Sequence, residues 1–191
     1  MNTPAHVALN LLVLGRRDWE MRWWPIVAGS LLPDLPMFAF YAYEKVILRR
    51  SEQVIWKDDY FLAGWQVFFD VFNALPLIGV AAAIAWILKR MGWVAFFAGM
   101  ALHCLGDLPL HNDDAHRHFY PFSSWQFHSP VSYWDPQNYG VYAGLTEVLL
   151  VLVSCVLLML PGRRKAIRVC GAAVLLTYCV YAIFVLLVWV T

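Results

Sequence analysis

The sixteen residues from His103 to His118, HCLGDLPLHNDDAHRH, hold four of the six histidines of the chain and three of its aspartates. His103 and Asp107 stand four apart in a helical pattern, which directs both side chains to one face. Neutral imidazole and carboxylate are ligands for zinc and similar divalent cations. His111 extends the same step if the turn after Pro109 stays helical, and Asp114 and His118 repeat it. One ion cannot take all of these groups, and a solvated polar loop accounts for those left over. His128 follows in PFSSWQFHSPVSYWD, among aromatic residues and before Pro130. It reads either as a further ligand or as a buried histidine supporting one.

Other ionisable residues stand in apolar surroundings. His6 belongs to TPAHVALNLL, where Thr3 suits an N-cap and Pro4 a first helical turn. Asp34 sits in AGSLLPDLPMF between Pro33 and Pro36. A carboxylate there needs a cation, a metal or several hydrogen-bond donors, and backbone N–H groups at a helix break could supply the donors. Glu147 lies inside an apolar run, as a hydrogen-bond partner of a ligand histidine or as a protonated acid bonded to a neighbour. Asp70 and Asn73 are open to the same two readings. His6, Asp34, His103 and Asp107 come from three separate segments. If those segments pack side by side, they form a nitrogen and oxygen ligand set inside a helical bundle.

The elements that must position these groups are membrane helices. The chain has 191 residues, 61% hydrophobic and 14% charged, against about a quarter charged in a soluble domain. Spanning a bilayer takes about 20 apolar residues. Residues 66–88, 139–160 and 169–190 meet that length, 93–110 nearly does, and 23–43 does so with prolines inside it. The segment around 6–14 is too short and reads as a half-buried or re-entrant helix. The predicted fold is therefore all-α: a polytopic helical bundle with about five spanning helices and a short N-terminal helix. It forms one domain over 1–191, with the metal-site region in 1–135 and two spanning helices in 136–191. Trp23, Trp24, Trp86 and Trp93 fall near span ends, where amphipathic rings favour the interface.

Arg16, Arg17 and Arg22, then Lys89 and Arg90, then Arg163, Arg164, Lys165 and Arg168 mark alternate connections. The positive-inside bias puts these in the cytoplasm and the histidine-rich loop on the outer face. The connection holding Lys45, Arg49, Arg50 and Lys57 runs against that bias. A net charge of +1, with no basic groove, gives no reason to expect nucleic acid. Cys104, Cys155, Cys170 and Cys179 lack CxxC spacing and read as small core fillers. No basic residue precedes the apolar stretch 5–14 and Arg16 follows it, unlike a cleaved signal peptide.

Four stretches in order, TPAHVALNLL, GSLLPDLP, HCLGDLP and FYPFSSWQFHSP, resemble the YdjM/YbcI family of inner-membrane proteins, described as metal-dependent hydrolases. The likeness covers roughly residues 1–135; the last two spans match only as generic membrane helices. That family is in turn similar to the zinc-dependent phospholipase C and single-strand nuclease superfamily of all-α phosphoesterases. The resemblance implies a bacterial inner-membrane protein with His6, Asp34, His103 and Asp107 at ligand positions. It also implies that Asp34 orients or deprotonates the attacking water. Many relatives carry a further Asp–His pair after the PD turn, where this chain has Pro36 and Met37. They also carry a His-Arg-Gly…Thr-His stretch that is absent here.

The expected chemistry is hydrolysis by metal-activated water, with zinc as first candidate and a phosphoester, including a lipid one, as substrate. Asp34 and Asp107 are the candidate catalytic carboxylates; His6, Asp34, His103, Asp107, His111, His118 and His128 are the candidate ligands. No GxSxG nucleophile motif competes. Two other readings use the same residues. A transporter or sensor would spread ligands along a cation path across membrane depth, whereas a hydrolase gathers them at one depth. A scaffold would use the polar groups only to seal helix contacts.

Overall fold

The computed structural model describes residues 1–16, 19 and 22–189; Arg17 and Val190 lie outside the described residues. The described residues form helices and loops with no strands. In chain order the helices are α1 (Thr3–Leu14), α2 (Trp23–Leu31), α3 (Leu35–Ala42), α4 (Glu52–Lys57), α5 (Ala63–Asn73), α6 (Leu75–Ile87), α7 (Met91–Asp107), α8 (Gly140–Met159) and α9 (Lys165–Trp189). Among the described residues, five segments are long and apolar enough to cross a membrane: Trp23–Ile47, Ala63–Ile87, Met91–Leu110, Gly140–Met159 and Lys165–Phe184. The protein is an all-α, membrane-type bundle with a shorter helix at its N-terminus.

Proline sets the breaks within the spans. Pro33 starts a 3-10 turn, Leu32–Asp34, that joins α2 to α3, and Pro36 occupies the first turn of α3. Without an N–H and with φ fixed, proline suits the start of a helix and disturbs its interior. The second break falls at Ala74, where the backbone is extended and Pro76 follows. Backbone groups freed at membrane depth need partners. Here the loop after α7 provides them: Leu75 N–H donates to the His118 carbonyl at 2.9 Å, and His118 Nδ1 donates to the Asn73 carbonyl at 3.1 Å.

The core is built on close helix approach. α2 packs chiefly on α7, and α1 lies among α2, α7, α8 and α9. At the crossing of α2 and α7, a Cβ on Gly29 would stand 2.0 Å from the Phe96 carbonyl oxygen, and one on Gly99 2.8 Å from that of Ile26. Small residues let membrane helices meet backbone to backbone in this way. Asn10 reaches into the crossing from α1, donating to Ser30 Oγ at 2.8 Å and the Gly99 carbonyl at 2.9 Å. Ala5, Ala8, Leu11, Ile26 and Ala95 fill the space around these contacts. Ile84, Leu149 and Leu176 face outward, as lipid-facing positions do.

Candidate metal centre

Three helices deliver the polar groups to one place. His6 comes from the second turn of α1, Asp34 from the break before α3, and His103 and Asp107 from the last turns of α7. His6 and His103 are fully buried, with rings stacked at 3.6 Å between centroids and 17° between planes. Asp107 faces both: Oδ1 lies 3.0 Å from His6 Nε2, and Oδ2 lies 3.0 Å from His103 Nε2. The α-amino group of Met1 also donates to Asp107 Oδ1. Asp34 Oδ1 is 3.4 Å from His103 Nε2, and its Oδ2 accepts the Thr3 hydroxyl at 2.5 Å. His6, His103 and Asp107 each offer a ligand atom within 4.8 Å of the others, so the buried group can hold a metal ion.

The tautomer of His103 follows from its neighbours. A backbone carbonyl only accepts, so Nδ1, 2.7 Å from the Ser30 carbonyl, donates. Nε2 then faces two carboxylate oxygens, from Asp107 and Asp34. Such a set of facing acceptors is held together by a proton or by a cation. A carbonyl holding the far nitrogen is also how proteins orient metal-binding histidines. On His6, Nδ1 is buried without a hydrogen-bond partner among the described residues. The donor set of two imidazoles and one to two carboxylates fits a divalent metal ion that takes nitrogen and oxygen ligands.

A cavity of about 180 Å³ adjoins the group, lined by Asp34, Asp107, His111, Asp114, His116 and Tyr133 among others. The turn after Pro109 does not stay helical: His111 is extended. Its ring still reaches back, with Nε2 3.6 Å from Asp107 Oδ1, while Nδ1 pairs with Asp114 Oδ2 at 2.8 Å. Burial disfavours the charged ring of His111, but the carboxylates of Asp107 and Asp114 outweigh it and hold its pKa up at about 9. Burial, with the charges of His111 and His118, pushes His116 down to about 4. Its Nδ1 has no hydrogen-bond partner among the described residues.

The structure brings together His6, Asp34, His103, Asp107 and the ring of His111. It does not bring His118 or His128 to them. His118 caps the backbone break at Asn73, and the helical pairing of Asp114 with His118 fails because that stretch is a turn. His128 is exposed and bonds the Asn112 carbonyl at 2.7 Å. Thr3 is not an N-cap: α1 begins at Thr3 after Asn2, and the hydroxyl goes to Asp34 instead. Glu147 touches no histidine. It accepts Asn2 N–H at 3.0 Å, Asn2 Nδ2 at 2.6 Å and the Tyr178 hydroxyl at 2.5 Å, which ties α8 and α9 to the start of α1. Asp70 binds Arg117 through Nε at 2.5 Å and the backbone N–H at 2.9 Å, pinning the histidine-rich loop over α5.

The contributions of Thr3, Ser30 and Tyr133 were not anticipated from the sequence. Thr3, His6 and Asn10 recur at helical spacing on one face of α1, a polar stripe legible in the residues themselves. The Ser30 carbonyl carries no such signal. Searches of family models, curated proteins and solved structures gave no match to the chain.

Proposed function

We propose that this protein is a membrane-embedded, metal-dependent hydrolase acting on a phosphoester. The observation that carries the reading is the buried meeting of His6, His103 and Asp107, with His103 Nε2 set between two carboxylates. His6, His103 and Asp107 would hold a divalent cation, zinc first, with Asp34 beside it. Such a cation polarises a phosphoryl oxygen and makes water nucleophilic at neutral pH. Ser30 holds the His103 ring in the tautomer that presents Nε2 inward. Thr3 fixes one oxygen of Asp34, and the other faces His103 Nε2 at 3.4 Å, which sets the carboxylate beside the ion to orient the attacking water. Asp34 and Asp107 also line the cavity, so the group has room for a substrate beside it.

Contacts no longer than 3.6 Å gather the ionisable groups at one depth, which favours a hydrolytic centre over a cation path across the bilayer. By the positive-inside bias, Lys89, Arg90, Arg164 and Arg168 at the opposite connections support a centre in the outer half of a bacterial inner membrane. Lys45 and Arg50, which run against that bias, are paired with Glu52 and Asp59.

The test is metal content and turnover together. Purified protein should carry stoichiometric zinc that His103→Ala loses, and should hydrolyse at least one of a panel of phosphomonoesters and phosphodiesters until chelator is added. Stoichiometric zinc without turnover on the whole panel would favour a non-catalytic membrane metal protein.

A further inference from the structure

The connection from His111 to His128 is sorted the opposite way from a loop in water. Its ionisable side chains turn into the protein: His111 onto Asp107 and Asp114, Arg117 onto Asp70 and His118 onto the Asn73 carbonyl, with His116 in the cavity wall. Its aromatic side chains turn out. Phe119, Phe122, Trp125 and Phe127 are exposed, Phe122 to 77%. Ring centroids of Phe119 and Trp125 are 5.6 Å apart and those of Trp125 and Phe127 6.2 Å, so these three make one continuous patch. Solvated loops favour the reverse sorting, and a contiguous apolar patch marks a surface that meets another molecule or a membrane. Asp113 and His128 are the exposed exceptions. Asp113 lines a cleft with Lys57 that none of the four rings enters, and His128 is bonded to the Asn112 carbonyl.

α5 holds this patch at membrane depth. Arg117 is bonded to Asp70, and His118 to Asn73 and Leu75. At 1.5 Å per residue, Asp70 lies roughly 10 Å and Asn73 roughly 15 Å from Ala63, where the span Ala63–Ile87 begins. The hydrocarbon core of a bilayer is about 30 Å thick. At the level of Asp70, α5 exposes Val67, Phe68 and Val71, as a lipid-facing helix does. Phe119 follows His118 directly, so the aromatic patch continues that apolar surface. Irregular backbone at such depth needs partners from the protein. Here Phe122 and Ser123 N–H donate to the Phe119 carbonyl at 2.9 and 3.1 Å, Trp125 N–H to Ser123 Oγ at 3.1 Å, and Gln126 Nε2 to the Ala115 carbonyl at 2.6 Å.

We infer that residues 111–128 form a re-entrant loop whose Phe119, Phe122 and Trp125 lie against lipid acyl chains, in the leaflet that holds the first half of α5. The same loop turns its histidine face to the cavity. The partner of the aromatic surface is the bilayer itself, because the patch is continuous with the lipid-facing side of α5 and is tied to it at Asp70 and Asn73. The inference rests on exposure and packing and is independent of the hydrolase reading.

The experiment measures depth on the full chain, in vesicles of phosphatidylethanolamine and phosphatidylglycerol. A nitroxide is attached at Phe119→Cys, Phe122→Cys or Trp125→Cys, each in a background carrying Cys170→Ala and Cys179→Ala; Cys104 and Cys155 are buried. Leu149→Cys, exposed midway along α8, is the lipid reference, and Asp58→Cys, exposed in the charged connection after α4, is the water reference. Power saturation reads the ratio of collisions with oxygen, which dissolves in lipid, to collisions with a water-soluble nickel chelate. The ratio at the three loop sites should approach that at Leu149 and exceed that at Asp58 about tenfold, because hydrocarbon excludes polar solutes by at least that factor. A ratio equal to that at Asp58 would put the loop in water and overturn the inference. Low collision rates with both reagents would mean that protein covers the patch, a second copy of the chain or another subunit, and would overturn the lipid assignment. The three sites are read separately, so one variant that fails to fold leaves two that decide.

Discussion

Asp107→Asn distinguishes a cation site from a hydrogen-bond network. Asp107 faces both stacked imidazoles, with a different oxygen 3.0 Å from each, so the substitution removes the one carboxylate that both share. Loss of a residue that merely supports a ligand costs about 10- to 100-fold in metal affinity. Asp107 belongs to the ligand group itself, so the loss should reach at least ~100-fold, or ~2.7 kcal/mol. Zinc at one hundred times the wild-type Kd stabilises the wild type by ~2.7 kcal/mol. The same zinc concentration is only about equal to the Kd of the variant and stabilises it by ~0.4 kcal/mol. For a chain of this size those values are Tm shifts of about 5–10 °C and about 1–2 °C. The metal-free variant should itself be destabilised by about 3 kcal/mol, because His103 Nε2, His6 Nε2 and the Met1 amine lose a charged acceptor. The zinc increment is therefore read within each protein, from thermal unfolding in detergent with and without zinc, alongside equilibrium dialysis. An equal zinc-induced shift in both proteins would refute the ligand role of Asp107.

Other consequences follow from the packing and the loop. Glu147→Leu removes three hydrogen bonds that hold Asn2 and Tyr178, costing about 2–5 kcal/mol in a membrane setting. It should also weaken zinc binding through the displaced start of α1, with Glu147→Gln intermediate in both urea-free thermal unfolding and zinc dialysis. Gly29→Ala places a methyl against the Phe96 carbonyl and should separate α2 from α7, lowering Tm and zinc stoichiometry together. The metal-free protein should be most stable near pH 6.5. His116, with a pKa of about 4 folded and 6.5 unfolded, takes up its proton only on unfolding in that interval, so stability falls as pH drops from 6.5 towards 4. His111, at about 9 folded, contributes stability that is complete below pH 6.5 and lost as pH rises towards 9. Thermal unfolding across pH in chelator should show both limbs, His116→Gln flattening the acid one and His111→Gln the alkaline one.

Some of this arrangement is written locally in the chain. A run of about 20 apolar residues has one stable place, the bilayer core, so the five spans were legible from length and hydropathy. The 3.6-residue period alone puts His103 and Asp107 on one face, and the cost of an ionisable group among apolar neighbours marked His6 and Asp34. Glu147 carried the same mark, yet its partners are Asn2 and Tyr178 rather than a histidine. His118 and His128 have the residue type of ligands but stand outside the His6, His103 and Asp107 group, bonded to the Asn73 and Asn112 carbonyls.

The amino-acid sequence by itself determined the helices, their spans and which residues are costly to leave unpaired, because those properties depend on neighbours within a few positions. Only the tertiary structure decided which of them meet. His6 and Asp107 are 101 residues apart and touch because glycines let α2 and α7 close on each other while Asn10 holds α1 against both. Such contacts depend on the relative rotation and depth of whole helices, which no local spacing encodes.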